Sequence, residues 1–140
     1  MKTKKNKKSG FTLVELMVVA IIVAILAAVA IPLMSGNKDR AMATEAQTGC
    51  STIATAMRMH YVEHGNFTAI TDPADLGGIK AEADLNGTYF LGNGYTITPG
   101  ADGNNYTITA DGSGDAAGMR VTMAVVDGKT TWTYGETPAP

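Results

Sequence analysis

The chain has 140 residues, and a composition of 45% hydrophobic and 17% charged residues fits one small domain. Its formal charge of −2 conceals an asymmetry: Lys2, Lys4, Lys5, Lys7 and Lys8 are five of the eleven basic residues, and the first ten positions hold no acid. The remainder sets six basic against thirteen acidic residues, a formal −7, which disfavours nucleic-acid partners because these usually need a basic face. A single cysteine, Cys50, rules out an intramolecular disulfide and reads as a small apolar helix residue.

The basic leader runs into an apolar stretch with no charged residue from Leu16 to Met34. Phe11 to Met34 would extend ~36 Å as a helix, enough for a hydrocarbon core of ~30 Å. A secretory signal peptide fits poorly. Its apolar region is ~7–15 residues long, and the bulky Ile31-Pro32-Leu33-Met34 here offers no small-residue cleavage site. The lysines place the N-terminus in the cytoplasm by the positive-inside rule, and the rest of the chain outside. An uncleaved, single-pass signal-anchored domain would meet all of this.

That reading leaves Gly10-Phe11 and Glu15 without a purpose. A carboxylate in a membrane helix costs about 2.5–3.5 kcal/mol at the bilayer centre and less near the end, so it calls for a named partner. Cleavage between Gly10 and Phe11 would create one. Phe11 would carry a new α-amine, four residues before Glu15. Glu15 could then pair with its own amine or with that of a neighbouring copy, and the second pairing would set an axial step between packed helices.

Lys-Ser-Gly-Phe-Thr-Leu-Val-Glu-Leu-Met-Val-Val-Ala-Ile-Ile resembles the leader and N-terminal helix of type IV pilins and the related pseudopilins, over roughly residues 7–34. The resemblance implies that a prepilin peptidase/N-methyltransferase cuts after Gly10 and methylates Phe11. Glu15 maps onto the family's assembly glutamate, and Pro32 onto the proline of its helix. The resemblance further implies a ladle-shaped α+β fold and a structural rather than catalytic role. The expected function is a prepilin polymerised into a type IV pilus-like filament, with a type II secretion pseudopilin as the alternative. Self-association into a helical filament, an inner-membrane assembly platform and an ATPase are the implied partners. The precursor belongs in the bacterial inner membrane, and the filament at the cell surface or across the periplasm. No cofactor is implied.

Pro32 lacks a backbone donor and Gly36 is a second weak point, so 30–37 reads as a soft joint in the helix. Helical pattern resumes at Lys38, with Ala46, Cys50, Ile53, Met57 and Tyr61 on one face. His64-Gly65-Asn66 is a stop signal. A continuous helix over 12–64 would run ~80 Å, too long to bury itself in one small domain. The expected organisation is a cleaved leader at 1–10, a helix at 11–64 with 11–34 in the membrane or filament core, and a β-sheet head with its preceding loop at 65–140.

Within the head, 65–87 reads as a loop region with a short helix near Ala81–Leu85. Strands are predicted at 88–91, 94–98, 105–110, 119–126 and 130–134, from alternations such as Tyr95/Ile97, Tyr106/Ile108 and Trp132/Tyr134. Asp127-Gly128 signals a hairpin. An antiparallel sheet of three to five strands should pack on the Ile53/Met57/Tyr61 face of the helix, an α+β arrangement.

Three other patterns carry possible chemistry. His60-Tyr61-Val62-Glu63-His64 spells H-x-x-E-H, two histidines on one helix face. It falls at a helix end and lacks an identifiable third ligand, so no metal and no enzyme are assigned. Asp102–Asn105 and Asp111–Asp115 offer alternating oxygens suited to calcium, without full EF-hand spacing. Asn66, Asn86 and Asn105 head acceptor-type tripeptides, which are not assigned glycans.

Overall fold

The computed structural model describes residues 10–68 and 70–136. Helix α1 spans Leu13–His64, followed by the short helix α2, Ala81–Asp84, and strands β1 Tyr95–Pro99, β2 Tyr106–Asp111, β3 Met119–Val126 and β4 Lys129–Glu136. The chain divides into two compact units at Lys38/Asp39, so the second half of α1 belongs with the sheet. In the first unit the helix is apolar and uncovered: Phe11 to Ile31 are all exposed. By length and composition it can cross a membrane. Helical backbone continues through Pro32 and Gly36.

The second unit is an antiparallel meander of order β1-β2-β3-β4 laid against α1. Strand alternation decides its inner face. Tyr95 and Ile97 of β1, Tyr106, Ile108 and Ala110 of β2, and Val121 and Met123 of β3 are buried, with threonines mostly between them. Against them α1 presents Ala46, Cys50, Ile53 and Met57, all fully buried, as the helical spacing predicts. The buried face is wider than that stripe, because Met42, Ala54 and Ala56 join it. Tyr61 sits at its rim, 40% exposed, with its ring 4.9 Å from that of Phe67. Burial in this core pushes the Cys50 thiol up to about 12, which makes it inert at neutral pH.

Local chemistry sets the ends of these elements. Gly65 takes φ +77 and its N–H donates to the Tyr61 carbonyl at 2.8 Å, an αL cap that stops α1 where the sequence signalled. Asp127 and Gly128 have φ values of 50 and 75, the type I′ signature that joins β3 to β4. Asp111 and Arg120 stand opposite each other on β2 and β3 and form a bidentate pair at 2.6 and 2.7 Å. The β1 edge is covered in part by the Ile97 N–H donating to the Thr71 carbonyl at 3.0 Å.

The strand predicted at 88–91 is not formed. Tyr89 and Phe90 lie in a bend, and their amides donate to Oε1 of Glu45 on α1, at 2.7 and 2.8 Å. Backbone donors engaged by a carboxylate are not free for a strand ladder. Phe90 still reaches the core and is fully buried, which explains why the segment reads as apolar and extended.

Candidate processing and assembly site

The start of α1 is built around Glu15. Thr12 is the N-cap and Glu15 is the third helical residue, the T-x-x-E spacing of a capping box. The Thr12 backbone N–H donates to Glu15 Oε2 at 2.7 Å and its hydroxyl donates to the same oxygen at 2.8 Å. In return the Glu15 N–H donates to Thr12 Oγ1 at 3.2 Å. The carboxylate also complements the positive end of the helix. Gly10 has open space where a Cβ would stand, and Phe11 is 85% exposed just before the cap. Gly10, Phe11 and Glu15 are therefore gathered at one accessible helix start, with exposed Val14 and Leu16 beside them. Thr12 is the member of this group that reasoning from Glu15 alone passes over, although its capping spacing is present in the sequence.

The other patterns have local occupations. His60 and His64 stack, ring centroids 4.1 Å apart, and His64 Nδ1 lies 3.2 Å from the His60 carbonyl oxygen. Among the described residues no three His, Cys, Asp or Glu side chains are grouped to hold a metal. Because the two rings stack on each other and His64 Nδ1 faces the His60 carbonyl, we expect protein purified without a histidine tag to carry less than stoichiometric zinc by metal analysis. One zinc per chain, lost in His64→Ala, would contradict this. Asp102 Oδ1 accepts the N–H groups of Asn104 and Asn105 at 3.2 and 3.3 Å, so this carboxylate closes its own turn. Asp111 is engaged by Arg120. Of the tripeptide asparagines, Asn86 Oδ1 accepts from the Gly92 N–H at 2.7 Å, and Asn105 Oδ1 from the Asp127 N–H at 2.9 Å.

Residues 5–31 match the family model described as the prokaryotic N-terminal methylation motif. The chain is 30% identical over 133 residues to the fimbrial protein EcpC of Eikenella corrodens, covering 91% of this chain and 82% of that protein. It is 29% identical over 111 residues to type II secretion system core protein G of Aeromonas hydrophila, covering 78% of each. A fimbrial protein of Neisseria meningitidis is 37% identical over 82 residues, 59% of this chain; the chain spans only 46% of that relative's length. No solved structure matches the chain. With an N-terminal apolar helix, a four-stranded antiparallel head and this motif, the chain belongs to the type IV pilin and pseudopilin family.

Proposed function

We propose that the protein is a prepilin: a structural subunit, without catalysis of its own, that polymerises into a type IV pilus-like filament. The observation that carries this is one conjunction. The methylation-motif match falls on an apolar helix that is uncovered from Phe11 to Ile31, and the single acid of that stretch lies one turn from its start. A helix of this kind needs lipid first and other copies of itself afterwards. In this reading a prepilin peptidase cuts between Gly10 and Phe11 and methylates the Phe11 amine. The precursor waits in the inner membrane, and a membrane platform with its ATPase extracts it. Glu15 then meets the Phe11 amine of an adjacent copy, and Pro32 and Gly36 let the helix loosen as copies pack. A pseudopilin that serves type II secretion is the second reading, favoured by the 111-residue match to a core protein G.

Glycine ahead of the scissile bond lets the peptidase approach the backbone closely, since there is no Cβ. Gly10→Val should therefore leave nearly all of the chain as full-length precursor in the membrane fraction, with no sheared filament. Intact-mass measurement of both fractions checks this. Efficient cleavage of the valine variant after position 10 would overturn the assignment of Gly10.

A further inference from the structure

Glu45 holds a place that neither the N-terminal motif nor the filament reading uses. It is half-buried on α1, and its Oε1 accepts the Tyr89 and Phe90 N–H groups at 2.7 and 2.8 Å. The loop passes so close that a Cβ on Gly87 would stand 3.0 Å from Glu45 Cγ and nearer still to its carboxyl group. On its far side the loop is held differently. The Tyr89 carbonyl accepts the Ser113 N–H at 2.8 Å, and Asn86 Oδ1 accepts the Gly92 N–H. Among the described residues that line the crevice beside Glu45, the titratable groups are Asp84 and Tyr95, both acids. Backbone N–H dipoles therefore sustain the charge on Glu45. Burial pushes its carboxyl up, but the N–H groups of Phe90, Tyr89 and Thr88 outweigh this and hold it below the ordinary glutamate value.

We propose that Glu45 is a titratable latch: its ionised carboxylate pins the 86–92 loop to α1, and protonation frees that loop while the β-meander stays folded. A charge-assisted hydrogen bond is roughly twice as strong as a neutral one, and Oε1 accepts two of them. Protonation weakens both at once. The meander has no comparable dependence on Glu45, since β2 and β3 are held by their own ladder and by the Ile108, Val121 and Met123 core. Opening is then sub-global, and it uncovers Phe90, which is fully buried when the latch is closed.

The sign follows from the lowered value. The latch is fully closed above the unfolded glutamate pKa of about 4.3 and lets go as pH falls through the lower folded value. The test uses the full chain in detergent micelles, with amide hydrogen exchange read residue by residue from pH 6 to pH 3 and corrected for intrinsic exchange. Protection of the Tyr89 and Phe90 amides should fall at least about tenfold relative to Ile108 and Val121, a loss of 1.4 kcal/mol or more. Glu45→Gln keeps an acceptor of the same shape without the titration. It should show a lower protection of these two amides that does not change with pH, and Glu45→Ala should leave them unprotected throughout. The proposal is overturned if Glu45→Gln retains the wild-type pH profile, or if strand and loop amides lose protection together in the wild-type chain.

Discussion

Glu15→Leu is expected to insert in the membrane and to be cut like the unaltered chain, yet to yield at least about tenfold less filament. The substitution makes the helix better suited to lipid, so simple hydrophobicity argues for the opposite result. The physical reason lies in the assembled state. In the proposed filament core the Phe11 amine leaves water, and removing Glu15, its proposed partner, would strand a buried charge at a cost of about 3–5 kcal/mol. Leu, Val, Ile and Ala offer little register between sliding helices, whereas one buried polar pair selects it. Glu15→Asp should be intermediate, because its carboxylate is one methylene shorter. The capping box supplies a second control. Thr12→Ala removes the hydroxyl that donates to Glu15 and accepts its N–H, a loss of about 1 kcal/mol at the helix end. It leaves the carboxylate in place, so Thr12→Ala should assemble far better than Glu15→Leu. Equal filament loss in the two variants would mean that Glu15 acts through its cap and not through a neighbouring copy. The readout is the ratio of sheared filament to membrane-held subunit, with cleavage checked by mass.

Gly49→Val should destabilise the head, although it replaces a glycine in mid-helix. Gly49 lies in mid-helix, where glycine costs about 1 kcal/mol relative to alanine, so a reading from helix propensity alone expects improvement on substitution. The close approach of Tyr95 reverses this. A Cβ at position 49 would stand 2.7 Å from Tyr95 Cε1 and nearer still to the hydroxyl end of the ring. Tyr95 is itself buried, so its ring can withdraw only by displacing the core around it. Overpacking of this kind typically costs about 1–3 kcal/mol, and the branched valine, of lower helix propensity than alanine, belongs at the upper end. Gly36 is the comparison, since its Cβ position is open. Gly36→Ala should leave the thermal midpoint of the head unchanged or slightly raised, whereas Gly49→Val should lower it by roughly 4–8 °C per kcal/mol for a domain of this size. Equal midpoints for the two variants would show that Tyr95 does not pack against Gly49 as described.

Much of this architecture was legible because it follows from periodicity. Strands over 95–99, 106–111, 119–126 and 129–136 lie within one or two residues of the alternating runs, and Asp127-Gly128 turns where its chemistry requires. The α1 stripe of Ala46, Cys50, Ile53 and Met57 was equally open to reading, since spacings of three and four define one face. What escaped depends on contacts between distant residues. Nothing within Thr88-Tyr89-Phe90-Leu91 announces that its amides belong to a glutamate some 45 positions earlier, so the segment passes for a strand. Gly49 likewise looks like a weak point in a helix until Tyr95, from β1, is laid across it. At the N-terminus the lesson is reversed. Thr12 and Glu15 are local, and their T-x-x-E spacing is a capping box legible in the sequence itself.

The intact mass of the subunit in sheared filaments tests the central claim most directly. A processed and assembled prepilin predicts a chain that begins at Phe11, carries one methyl group on its α-amine, and lacks the five-lysine leader. Tandem fragmentation of the N-terminal peptide should place that methyl group on Phe11 itself. A chain that begins at Met1 and is recovered only in the membrane would contradict the account and leave a plain signal anchor in its place.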